Sequence, residues 1–156
     1  MPKFNIISQF LKDISFESPN VPELFFKQDN GQAKIEINLD INIKGADNNL
    51  FMVDLITKVH SKLEKDNKTI FMIESTYTGM VQYEEKDEET KRKTLLIDVP
   101  TLLFPSVRAM VTRLPQNLGS QHLLCNLLTL LICMNKDRKQ RRQKKHQNLL
   151  ISKIKK

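Results

Sequence analysis

The side chains that could do covalent chemistry are few in this chain and poorly grouped for it. Residues 1–119 contain one histidine, His60, and no cysteine, so no thiol is present there for catalysis or for a disulfide. His60 alternates outward with Lys58 and Lys62 and reads as an exposed strand residue. The glycines, Gly31, Gly45, Gly79 and Gly119, form no phosphate-cradling loop. The carboxylate pairs Glu84/Glu85 and Glu88/Glu89 fall in a charge run, EEKDEETKRK, which favours a solvated surface over paired acid and base catalysis. Cys125, Cys133, His122 and His146 could ligate zinc, yet their spacing matches no common finger pattern. The expectation is a binding protein without catalytic residue, cofactor or metal.

What positions these residues is a chain divided by charge. Residues 1–119 hold 15 Lys and Arg against 17 Asp and Glu, whereas residues 120–156 hold 10 against 1. The net +7 of the whole chain describes neither part, and any attraction to nucleic acid or membrane rests on the second. The length and the 40% hydrophobic content suit one globular core. The start of the chain has no apolar secretion-signal region, and no stretch approaches the roughly 20 apolar residues of a membrane span. A cytoplasmic protein is expected.

Residues 33–43 alternate without error: Ile35, Ile37, Leu39, Ile41 and Ile43 face one way, and Lys34, Glu36, Asn38, Asp40 and Asn42 the other. This is a half-buried strand. After turn chemistry at 45–49, the alternation resumes with Phe51, Val53, Leu55, Val59 and Leu63 on one face. A second polar turn, 64–68, leads into Thr69–Tyr77, rich in β-branched and aromatic residues, which completes a three-stranded meander. Phe4–Phe16 can add a fourth strand, ended by Pro19 and Pro22. Pro100 and Pro105 bracket Thr101–Phe104, so no continuous helix is expected through them; Pro105 suits the first turn of a helix carrying Val107, Met110, Val111 and Leu114. Strands followed by helices give an α+β fold, a four-stranded antiparallel sheet with helices on one face.

Three segments resemble the SecB export chaperones. Phe10-Leu11-Lys12-Asp13-Ile14-Ser15-Phe16-Glu17-Ser18-Pro19-Asn20-Val21-Pro22 is similar to the family's opening motif, the alternating strand resembles the family's through Ile37-Asn38-Leu39-Asp40, and Val99-Pro100-Thr101-Leu102-Leu103-Phe104-Pro105-Ser106-Val107-Arg108 is similar to its proline-bracketed block, with Val99 in place of the family's cysteine. The resemblance spans residues 8–119. It implies the same sheet-and-helix fold, assembled as a homotetramer, a dimer of dimers. It also implies an ATP-independent holdase that binds unfolded precursor proteins and passes them to the SecA motor, with contact to the membrane only through SecA. Carried over by motif, Asp13, Glu17, Met72 and Glu74 would contact SecA, and Ile73, Ser75 and Tyr77 would form the tetramer interface; Ser75 and Tyr77 depart from the family's usual residues. Any zinc would belong to SecA.

The tail departs from that family. In place of its usual ending stand Leu123–Met134, mostly apolar, and then KDRKQRRQKKH. Read one base earlier, from the last base of the Gly119 codon, the codons of Ser120-Gln121 permit Phe-Pro. Cys125-Asn126 then gives Gln or a stop, the following codons permit Pro-Ile-Asp-Phe-Ala-Asn-Leu-Tyr, and Met134-Asn135 gives Glu. This rebuilds the family's ending in order. The sequence therefore divides into a SecB-like domain, 1–119, and an atypical basic tail, 120–156, expected to be out of frame. The alternative is a nucleic-acid-binding protein using Lys136, Arg138, Lys139, Arg141, Arg142, Lys144 and Lys145 on phosphates, although no aromatic residue interleaves with those charges to stack on bases. A membrane-surface protein using 123–134 is a third reading.

Overall fold

The structure, a computed structural model, describes residues 4–26, 33–45, 48–84 and 87–115. Four antiparallel strands, β1 (Phe4–Glu17), β2 (Ala33–Gly45), β3 (Leu50–Leu63) and β4 (Thr69–Tyr83), form one sheet in the order β1-β4-β3-β2. β2 and β3 pair without interruption from Ala33↔Leu63 to Gly45↔Phe51. That register follows from the strict alternation of β2, because a slip of one residue would turn every isoleucine to water. Asn48 and Asn49 turn the chain with φ of 62° and 58°, a conformation that asparagine tolerates better than most side chains. The β3–β4 turn closes through Leu63 N–H to Lys68 C=O at 2.9 Å, with Asn67 also left-handed. The meander and the fourth strand are as the sequence predicts.

Along the chain, α1 (Val21–Phe26) follows β1, and α2 (Glu88–Lys93) follows β4. The first turn of α2 is capped by Asp87, which accepts from the Thr90 N–H at 3.0 Å and from its hydroxyl. Thr90 holds the Asp87 carboxyl below its usual range. Glu88 and Glu89 lie at the positive end of this helix and Lys91, Arg92 and Lys93 at the negative end, as the helix dipole favours. The charge run is thus a solvated helix. A π-helical turn, Thr94–Asp98, continues directly into α3 (Val99–Arg113).

The expected break at the prolines is corrected by the structure: α3 runs through both Pro100 and Pro105. Pro100 lies in the first turn of α3, a tolerated position, next to Val99, whose N–H reaches back five residues to Thr94 C=O. Pro105 removes one interior hydrogen bond, a cost of roughly 3 kcal/mol. Complete burial of Leu103, Val107 and Val111 and near-complete burial of Phe104 offset this, at about 1.5–3 kcal/mol for each large side chain. The 26-residue run Glu88–Arg113 is long and apolar enough to cross a bilayer by composition. Its apolar side is instead packed on the sheet.

The core lies between α3 and one face of the sheet. Val53, Leu55 and Val59 of β3 and Ile73 and Val81 of β4 pack there with Leu95, Val99, Leu103 and Val107. The closest approach is at Gly79, where an added Cβ would stand 3.0 Å from both Leu103 methyl carbons, so any larger residue there would have to push the Leu103 side chain aside. Thr57, Ser61 and Ser75 occupy the same layer, almost fully buried, with no hydrogen-bond partner for their hydroxyls.

Candidate functional site

The opposite face of the sheet carries no helix among the described residues, and the phase of β1 decides what it displays. Phe4 and Ile6 stand opposite Tyr83 and Val81, and Leu11 opposite Tyr77, all on the covered side. Two register shifts, at Ile7 and at Lys12, each add one residue to β1. Such bulges reset which residues face which way. Beyond Lys12 the shift turns Ile14 and Phe16 inward, with the Phe16 ring 6.2 Å from that of Phe71. Asp13, Ser15 and Glu17 are thereby turned outward.

The residues that the SecB resemblance assigns to SecA contact are consequently brought together. Glu17 is directly opposite Met72, Ser15 opposite Glu74, and Asp13 opposite Thr76, so Asp13, Glu17, Met72 and Glu74 share one end of the open face. Asp13, Glu17 and Glu74 are exposed and Met72 is half-buried. Two ammonium groups nearby are already engaged. Lys58 binds Glu74 at 3.0 Å, and Lys12 reaches across β4 to Asp54 on β3 at 3.5 Å. Asp13 and Glu17 make no ion pair among the described residues. A face with two uncompensated carboxylates beside a thioether can steer and seat a basic partner.

Sequence reasoning missed Asp54, which is 3% exposed although it belongs to the open face. Its carboxylate accepts the Thr78 hydroxyl at 2.6 Å as well as the Lys12 ammonium. A sequence signal existed: Asp54 interrupts an apolar run. Nothing in the sequence showed that Lys12 would answer it. On the β2 side, His60 shares its Nε2 with the Thr69 hydroxyl at 3.0 Å and stands between Glu36 and Met72. Burial, and then Lys62, push its pKa below 6.5. Glu36 is held below the usual carboxylate range by hydrogen bonding to Lys34 and by the charge of Lys62.

The three residues assigned to the tetramer interface lie on the covered face. Ile73 and Ser75 are buried within a single chain, and Tyr77 is half-buried. Large apolar side chains remain exposed on the edge strand β1, at Ile7, Phe10 and Leu11, and on helices at Phe26 and Leu102. Among the described residues no group of three His, Cys, Asp or Glu side chains is placed to hold a metal ion. The candidate zinc ligands Cys125, Cys133, His122 and His146, and the basic stretch 136–145, lie outside the described residues.

Comparison with known proteins agrees with this geometry. The family described as preprotein translocase subunit SecB matches residues 1–130. The protein-export protein SecB of Bartonella bacilliformis is 34% identical over 119 residues, covering 76% of this chain and 72% of that protein. The Orientia tsutsugamushi (strain Boryong) protein is 37% identical over the same length and coverage. Among solved structures, a Mycobacterium tuberculosis SecB-like chaperone in complex with an antitoxin peptide superposes with a TM-score of 0.60 at 13% identity, covering 75% of this chain and 85% of that one; at that identity the likeness concerns the fold. With the sheet order, the open face and these matches in hand, the chain belongs to the SecB family of protein-export chaperones.

Proposed function

We propose that this protein is an ATP-independent holdase of the cytoplasm that keeps unfolded precursor proteins from folding or aggregating and delivers them to the SecA motor, without catalysing a reaction. The observation that carries this reading is the family match over residues 1–130. Exposed Ile7, Phe10 and Leu11 on an edge strand support it, since such an edge offers both backbone pairing and apolar contact to an extended chain. In this reading Asp13, Glu17, Met72 and Glu74 receive a basic segment of SecA. The working assembly is a homotetramer. Ile73 and Ser75, covered in one chain, would support its interface from beneath, and Tyr77 would contribute surface. The nucleic-acid alternative has no support from the family to which the chain belongs.

Residues 120–156 have no part in this function if the reading frame slipped near the Gly119 codon, a slip motivated by the family ending that the codons permit in the neighbouring frame. The family match continues to residue 130, so codon degeneracy alone sets that boundary. Sequencing the gene across this codon tests the slip, which is rejected if the upstream frame fails to encode the ending. The function itself is tested by suppression of aggregation of a denatured client, with sizing, for this chain and a frame-restored version. The frame-restored protein is expected to hold client at stoichiometric ratios without ATP; failure to do so would discard the holdase reading.

A further inference from the structure

We propose that Lys12 and Asp54 form a register pin that places the SecA-contact carboxylates on the open face. A buried carboxylate is costly unless paired, and Asp54 is 3% exposed on the face that no described helix covers, between Met52 and Ile56 on the same side of β3. Its two partners come from different strands: Thr78 on β4, directly opposite at 2.6 Å, and Lys12 on β1, beyond β4, at 3.5 Å. The contact thus ties the edge strand to the third strand of the order across the one between. Lys12 is also the extra residue of the second bulge in β1, between the pairs Leu11↔Tyr77 and Asp13↔Thr76.

Without that extra residue, alternation would continue from Leu11, so that Asp13 and Glu17 would point into the core and Ile14 and Phe16 into water. Burial of Ile14 and Phe16 favours the bulged phase but is indifferent to where along β1 the extra residue sits. The ammonium of Lys12 discriminates: an extra residue before position 12 would set Lys12 opposite Tyr77 on the covered side, away from Asp54, and one after it would set Lys12 opposite Thr76, two residues along β4 from the Thr78 that pairs with Asp54. Polar contacts of this kind are best attested as devices that select a register. Lys12 and Asp54 are therefore positioning residues for the face formed by Asp13, Glu17, Met72 and Glu74. The inference deepens the proposed SecA contact and rests on that reading for its purpose, whereas the register itself is measured without SecA.

The test uses the full chain with Cys125→Ser and Cys133→Ser. A Ser15→Cys, Glu74→Cys pair reports the β1–β4 register by disulfide formation, since these residues are directly opposite. An Asn38→Cys, Lys58→Cys pair, opposite in β2–β3, serves as control. Lys12→Met is expected to lower the first cross-link about fivefold, the effect of losing roughly 1 kcal/mol of preference, and to leave the control intact, while Lys12→Arg retains both. Two results overturn the proposal: an unchanged first cross-link, or an equal fall in both, which would mean general loosening. The double variant Lys12→Met, Asp54→Asn separates a pin from a mere buried-charge penalty. It is expected to stay low, and recovery of the cross-link in it would also overturn the pin.

Discussion

The two faces of this sheet are built from alternate residues of the same strands, yet they obey different rules. On the covered face, Val53, Val59, Ile73 and Val81 are almost completely buried beneath α3, and position is decided by volume, most tightly where Leu103 meets Gly79. On the open face, Lys58, Glu74, Asp13 and Glu17 remain in water, and position is decided by charge and by the bulge in β1. The covered face holds the core, and the open face leaves its charges to solvent. Each face also carries an exception of the other's kind: hydroxyls at Thr57 and Ser75 without a partner among the described residues in the covered layer, and a buried carboxylate, Asp54, on the open face.

Substitutions can sharpen or break this division. The largest effect is expected for Leu103→Ala, which opens a cavity above Gly79 and lowers stability by about 2–5 kcal/mol in denaturant titration; a loss below about 1 kcal/mol would mean that α3 does not seal the core. Thr57→Val replaces a buried hydroxyl without a partner by a methyl group of the same shape and should raise stability by about 1 kcal/mol in the same experiment. A destabilisation would show that the hydroxyl is satisfied in the folded protein. Asp13→Asn with Glu17→Gln should leave stability within about 0.5 kcal/mol. It should nevertheless slow association with SecA and flatten the dependence of that rate on salt, as measured by stopped flow, because exposed charges act mainly on encounter. An unaltered rate would remove the open face from the delivery step.

The smallest effect concerns His60. Its folded pKa lies below the 6.5 of the free side chain, first because of burial, so the unfolded chain takes up the proton more readily. The resulting stability is fully present above pH 6.5 and is lost as pH falls through the depressed folded value. His60→Gln should flatten the stability curve in that window alone. A slope unchanged by the substitution would assign the pH dependence to the carboxylates instead.

Much of this division was legible in the chain itself. The unbroken alternation of 33–43 defined β2, its register and its inward face, because period-two patterning has one solution when one side is buried. The second strand was read from Phe51, Val53, Leu55, Val59 and Leu63, but the gaps at Thr57 and Ser61 concealed two buried residues of the same face. A hydroxyl signals exposure in a sequence, and only the helix above it reveals otherwise. Pro105 misled for a related reason: its local penalty is visible in the sequence, whereas the burial of Leu103, Phe104 and Val107 that outweighs it is not. The four residues of the SecA-contact assignment came from family motifs, and their adjacency could not have been computed from spacing.

What the sequence determined by itself is therefore the set of strands, their turns, and the absence of a grouped catalytic inventory in residues 1–119, since these depend on patterns within a few residues of one another. The tertiary structure alone decided that β1 crosses the sheet to pair with β4, that two bulges reset its phase, and that Lys12 meets Asp54. Those outcomes depend on contacts between residues 42 apart in the chain and more, whose energies no local pattern carries. The open face has the residues it has because such distant contacts choose which side of each strand faces out.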